Sequence, residues 1–177
     1  MRIYLAGPFF SQRERDYQKA VGFALAEAGH ELIDPRRHGK ADLSSVDDRR
    51  RILAANKLDI VESDVVVALL SRRLDDKQTL RLCEDSHFLC QPVPTSDPIH
   101  IPDTGTVWEV GFAVAVGKPV WALCDDKTTL NVMLTESVNA VFEEPQDVLA
   151  ALQLYGSDNV RVVGRPLHTN MEEKGDA

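Results

Sequence analysis

Apolar and polar positions alternate between two rhythms along the first seventy residues. Arg2-Ile3-Tyr4-Leu5-Ala6 is a short β-type run that breaks at Gly7-Pro8. Ser11 then offers an N-cap, with Glu14 at capping-box spacing. From Asp16 to Ala28 the residues Tyr17, Ala20, Val21, Ala24, Leu25 and Ala28 keep the three-four spacing of an amphipathic helix, and Gly29 is its stop. Glu31-Leu32-Ile33 predicts a second strand closing at Asp34-Pro35, and Arg36 to Ser45 reads as a polar loop. Val46 to Glu62 carries Ile52, Leu53, Ala55, Leu58, Ile60 and Val61 among charges, which predicts a second helix ending near Ser63. Val65 to Leu70 is almost continuously apolar, as expected of a strand buried on both faces of a parallel sheet.

Residues 71 to 102 follow no period and contain Pro92, Pro94, Pro98 and Pro102, so they are read as an inserted loop or lid. Regularity returns at Asp103-Thr104-Gly105-Thr106, a turn and helix-start signal, followed by a small-residue helix over Val107 to Val116. Val120 to Leu123 predicts a fourth strand, Leu130 to Leu134 a short helix, Ala140 to Phe142 a last strand and Pro145 to Leu154 a terminal helix. The alternation implies a doubly wound, five-stranded parallel sheet of the flavodoxin or Rossmann-like α/β class, because parallel strands need helices to return the chain. The expected organisation is one domain over residues 1–155, carrying the insertion, with a polar tail over 156–177. Ligands of such sheets bind beyond the carboxyl ends of the strands, where strand order reverses.

Composition narrows the function classes. Of 177 residues, 20 are Lys or Arg and 28 are Asp or Glu, a net charge of −8 that opposes the basic footprint of a polymeric nucleic-acid binder. The apolar runs fall short of the roughly 20 residues that a bilayer span needs, so no membrane association is expected. The amino-terminal residues lack the pattern of a cleaved signal, and Cys83, Cys90 and Cys124 are an odd set at no framework spacing. Both features suit the cytoplasm. Cys83, His87, Cys90 and His100 match no common zinc module, and no metal site is expected.

At the strand ends, Gly7-Pro8-Phe9-Phe10 stands where a dinucleotide fingerprint would lie, but without its glycine spacing. Phe9 and Phe10 either stack on a planar heterocycle or form core beneath the first helix. Glu109 is a carboxylate on an otherwise apolar helix; it must face solvent, find a partner or serve as a reactive group. Asp103 on its own reads as a helix-start residue, and Asp59 and Asp64 as helix-end or capping groups.

Together these segments carry a resemblance. Ile3 to Phe10, Asn56 to Leu70 with Asp59 and Asp64, Asp103 to Ala113 with its GTxWExG core, and Leu130-Asn131-Val132-Met133 resemble the nucleoside 2-deoxyribosyltransferase family. The resemblance implies exchange of the nucleobase of a 2′-deoxyribonucleoside for a free base, without a cofactor. Glu109 would be the nucleophile that forms a covalent deoxyribosyl ester, with overall retention, and Tyr4 would orient it. Asp59 and Asp103 would hold the base and help to protonate its leaving nitrogen. Gly7, Phe9 and Phe10 would line the substrate site. Asn131 would reach the sugar 5′-hydroxyl from a neighbouring subunit, making the protein a homo-oligomer with shared sites. No base-selecting role is carried over to Arg36 and Arg37.

The implied chemistry is that of retaining glycosidases applied to an N-glycoside: one carboxylate carries the sugar while an acid protonates the leaving group. Two other readings use the same fold. One is a 2′-deoxynucleoside 5′-monophosphate N-glycosidase, for which Ser11, Arg13 and Arg15 at the start of the first helix offer a phosphate position. The other is a non-catalytic nucleotide-binding module.

Overall fold

A computed structural model describes residues 1–39, 42, 44–70, 102–125 and 130–155. Five strands, β1 (Arg2–Ala6), β2 (Glu31–Ile33), β3 (Val65–Leu69), β4 (Val120–Leu123) and β5 (Ala140–Phe142), form one parallel sheet in the order β2-β1-β3-β4-β5. The helices are α1 (Gln12–Glu27), α2 (Val46–Glu62), α3 (Thr104–Ala115), α4 (Val132–Thr135) and α5 (Pro145–Tyr155), and Pro35–His38 forms a 3-10 turn. The expected doubly wound α/β class is therefore what forms. The chain steps from β1 outward to β2 and then back across to β3, so strand order reverses between β1 and β3. Sheets of this kind take ligands beyond the carboxyl ends of the strands at such a reversal.

The period of two along each strand divides the core between the sheet's faces. Ile3, Leu5, Val65, Val67, Leu69, Trp121 and Leu123 pack with Val21 and Leu25 of α1 and Val148 and Leu152 of α5. Tyr4, Ala6, Val66, Ala68, Val120 and Ala122 pack with Ile60 of α2, Val110 and Ala113 of α3 and Leu134 of α4. All five residues of β3 are buried, as its unbroken apolar run requires. Tyr4 thus sits mid-strand, facing α2 and α3.

Local chemistry sets the boundaries where they differ from the periodic reading. In α1 the capping box is complete, with Ser11 Oγ accepting from the Glu14 amide (3.2 Å) and Glu14 Oε2 accepting from the Ser11 amide (2.7 Å). The helix therefore begins at Gln12, before its apolar rhythm starts at residue 16. The same holds for α3, which starts at Thr104 rather than Val107 because Asp103 caps it. The short α4 begins two residues late, after Asn131 as its cap. The polar stretch read as loop contains the 3-10 turn, started by Asp34, whose carboxylate accepts from the Arg36 amide at 2.9 Å. The insertion over 71–101 and the tail over 156–177 lie outside the described residues, as do Cys83, His87, Cys90 and His100.

Burial on α2 runs against the hydrophobicity of its sequence. Its fully buried residues are Asp59 and Ile60, whereas Leu53, Leu58 and Val61 face solvent in the single chain. The helix buries a polar residue and turns its leucines outward.

Candidate active site

The site is built around Glu109, in the second turn of α3, which is 8% exposed. Two donors converge on one of its oxygens. Tyr4 Oη donates to Oε1 at 2.6 Å from the middle of β1, and Asn56 Nδ2 donates to the same atom at 3.2 Å from α2. Oε2 has no hydrogen-bond partner among the described residues. Of the three possibilities read from sequence, Glu109 finds partners, Tyr4 and Asn56, rather than solvent, and keeps Oε2 open.

Burial pushes the Glu109 carboxyl up to about 7, against the opposing hydrogen bond from Tyr4, and the negative charge of Asp103 adds to the rise. Burial and the neighbouring Glu109 drive the Tyr4 phenol well above its ordinary range, so that it stays a donor. A carboxylate near neutrality can ionise to attack and still leave from an ester.

Asp103 is 7% exposed and caps α3; its Oδ2 accepts from the Thr106 amide (3.0 Å) and from Thr106 Oγ1 (3.4 Å). A Cβ at Gly105 would lie 3.0 Å from that oxygen, so the glycine leaves room for the cap. The structure brings Asp103 and Glu109 onto one helix start, close enough for the charge of one to act on the other.

Asp59, 3% exposed, shares no hydrogen bond with Glu109. One helical turn beyond Asn56, it receives Arg37 Nη2 at 2.5 Å and His38 Nε2 at 2.6 Å from the 3-10 turn after β2. Asn56, Arg37 and His38 were not singled out from the sequence as site residues. Asn56 and Asp59 are three apart and so share a helix face, the one signal that pointed to Asn56; nothing but loop position pointed to Arg37 and His38.

Gly7 and Pro8 are buried where β1 ends. A Cβ at Gly7 would come within 3.0 Å of Leu69 Cβ, so only glycine lets the loop hug β3. Phe9 and Phe10 are exposed, with rings stacked 5.3 Å apart, and Arg15 Nη1 donates to both of their carbonyl oxygens (3.1 and 3.0 Å). They are not core beneath α1. Asn131 is also exposed and caps α4 through Oδ1, 2.7 Å from the Met133 amide; it shares no hydrogen bond with Glu109 or Tyr4.

On the opposite face of the sheet a hollow of about 330 Å³ opens beside α1, next to Pro8 and Leu69. Glu109 does not line it. Glu14, Asp125, Glu143 and Glu144 surround it against Arg13 alone, a balance that disfavours a phosphate. Among the described residues no cluster of three or more metal-ligating side chains occurs, and no helix is long and apolar enough to cross a membrane.

Comparison with known proteins bears on the fold and the family. A 2-deoxyribosyltransferase from Bacillus psychrosaccharolyticus is 24% identical, with a TM-score of 0.62 over 84% of this chain and 90% of that one. A conserved protein from Enterococcus faecalis V583 is 22% identical, with a TM-score of 0.63 over 88% and 98% of the two chains. A CMP N-glycosidase, BcmB, from Clostridium botulinum is 17% identical, with a TM-score of 0.51 over 86% and 99%. These likenesses show the fold. No curated protein matches the sequence. The family model for nucleoside 2-deoxyribosyltransferases, however, matches residues 3–152, which span both Tyr4 and Glu109, and the chain belongs to that family.

Proposed function

We propose that the protein exchanges the nucleobase of 2′-deoxyribonucleosides through a covalent ester on Glu109. The observation that carries this reading is the asymmetric carboxylate: Oε1 held by Tyr4 and Asn56, Oε2 open. Attack by Oε2 on C1′ displaces the base from the opposite face and forms a deoxyribosyl ester. A second base then attacks C1′ from the side the first one left, and two inversions give retention. The missing 2′-hydroxyl eases formation of positive charge on the sugar, which the buried carboxylate stabilises.

The remaining residues frame the substrate. Asp103, at the mouth of α3, holds the departing base, and Asp59 organises the turn after β2 that flanks it. Gly7 brings the first loop close to β3, while the stacked rings of Phe9 and Phe10 give a planar base an apolar surface that excludes water between departure and arrival. Asn131 completes the sugar site of a second copy. The exposed Leu53, Leu58 and Val61 of α2, Trp108 of α3 and Val132 and Met133 of α4, on the helices of one sheet face, form the contact between copies.

Incubation with deoxyadenosine and cytosine tests the reading. Deoxycytidine is expected from the intact protein and not from Glu109→Ala. Release of deoxyribose 5-phosphate from a deoxynucleoside monophosphate in water, with no exchange product, would overturn it in favour of hydrolysis. The carboxylates around Arg13 weigh against that outcome.

A further inference from the structure

The two oxygens of Glu109 have different fates in an exchange that passes through an ester. Oε2 bonds to C1′ in the first step, and Oε1 becomes the carbonyl oxygen of the ester. Both donors converge on Oε1: Tyr4 Oη at 2.6 Å from β1 and Asn56 Nδ2 at 3.2 Å from α2. When the sugar is oxocarbenium-like, the carboxylate bears nearly its full negative charge, whereas in the ester it bears none. A donor on Oε1 therefore stabilises the free carboxylate and both transition states about equally, and the ester less. It leaves formation of the ester nearly unchanged and accelerates its opening.

Asn56 is aimed at Glu109 at a structural cost. Its amide could turn either end toward Oε1, but only the nitrogen bonds to an atom that accepts in both carboxylate and ester. With Nδ2 on Glu109, Oδ1 is left buried with no hydrogen-bond partner among the described residues. An orphaned buried carbonyl is destabilising and rare in native proteins, and here it is the other end of the group that serves the nucleophile. The contact also acts on the charge of Glu109. Burial raises the carboxyl to about 7, and the hydrogen bonds from Tyr4 and Asn56 oppose that rise by favouring the ionised form.

Resting on the transfer reading of Glu109, we propose that Asn56 is a catalytic residue of the second half-reaction, whose amide on Oε1 helps the carboxylate to leave the sugar when the acceptor base arrives. In that step the nitrogen of the incoming base bonds to C1′ and the Oε2–C1′ bond breaks. Its electron pair returns to the carboxylate, whose charge Asn56 and Tyr4 take up through Oε1. The N–H proton of the incoming base passes to the acid that protonated the outgoing one, the part that the family resemblance gives to Asp59 and Asp103. No proton is gained or lost over the cycle.

The test reads the two half-reactions separately on one sample. Rapid quenching after mixing with deoxyadenosine gives the adenine released in the first turnover. Addition of cytosine gives the deoxycytidine formed from the ester, and intact mass gives the fraction of protein that carries the sugar. In buffer well above pH 7, where Glu109 is ionised, Asn56→Leu is expected to keep first-turnover release within about threefold of the unaltered protein and to slow deoxycytidine formation about tenfold. The fraction held as ester is expected to rise accordingly, and the acidic limb of first-turnover release to move to higher pH. Asn56→Ala, which adds no bulk, is expected to behave alike. Because the two rates come from one sample, partial misfolding cancels in their ratio. Equal slowing of both half-reactions, slowing of neither, or an ester fraction no higher than in the unaltered protein overturns the role of Asn56. Failure of the unaltered protein to make deoxycytidine overturns the transfer reading instead, and this proposal with it.

Discussion

At the scale of single residues, the burial of Glu109 links its ionisation to stability. Its carboxyl ionises near 7 in the folded chain against an ordinary value of 4.5, so the folded state holds this proton more tightly than the unfolded state does. Stability from this group is therefore greatest below pH 4.5, falls as pH rises toward 7, and stays low above it. The difference corresponds to about 3 kcal/mol at 1.36 kcal/mol per unit. Glu109→Gln, which keeps an acceptor for Tyr4, is expected to melt several degrees higher than the parent at pH 8 and at nearly the same temperature at pH 4, by calorimetry. Under the proposed mechanism, in which Glu109 attacks as the carboxylate, exchange by the parent is expected to rise with pH through about 7. Glu109 was legible as a lone charge on an apolar helix. Asn56 was not, because an asparagine among charges on a helix looks like any solvated residue, and only the arrival of Tyr4 from a distant strand gives it a partner.

At the scale of elements, α3 shows how one side chain can serve structure and electrostatics at once. Asp103 caps the helix and also raises Glu109 by its charge. The two effects separate by substitution, since asparagine is as good an N-cap as aspartate. Asp103→Asn is expected to keep the melting temperature and move the acidic limb of activity to lower pH; Asp103→Ala is expected to move the limb likewise and to lose about 1 kcal/mol, or roughly 2–4 °C. Equal melting temperatures for both variants would show that the cap contributes nothing. Element identity was largely legible, because strands and helices here obey periods of two and 3.6. Boundaries were less so: first turns are polar, and their caps lie outside the apolar rhythm, as at Gln12 and Thr104. The inward face of α2 was not read from the sequence. Its apolar rhythm predicted a helix without fixing that face, and Asp59 is buried where Arg37 and His38 meet it.

For the whole molecule, the βα alternation predicted a doubly wound parallel sheet but not its strand order, and the observed packing brings residues 4, 56 and 109 into hydrogen-bond contact, with 103 near 109, from separate parts of the sequence. Nor does alternation encode the outward apolar face. Leu58 is 56% exposed and Met133 72%. If a second copy covers them, Leu58→Glu with Met133→Glu is expected to shift sedimentation toward the monomer and to lower exchange at least tenfold, since Asn131 would be withdrawn from the shared site. Unchanged association would place the contact elsewhere.

The chain has two tryptophans, in opposite surroundings. Trp121 is 1% exposed within β4, edge-on to Phe142 and Tyr155, whereas Trp108 is 43% exposed and precedes Glu109 by one position. The molecule therefore carries two intrinsic fluorophores reporting different events. Emission from buried Trp121 is expected to follow loss of the core, and emission from Trp108, exposed in the single chain, to follow whatever covers that face of α3, a second copy included. Covering of that face and unfolding can be read optically from one unlabelled sample.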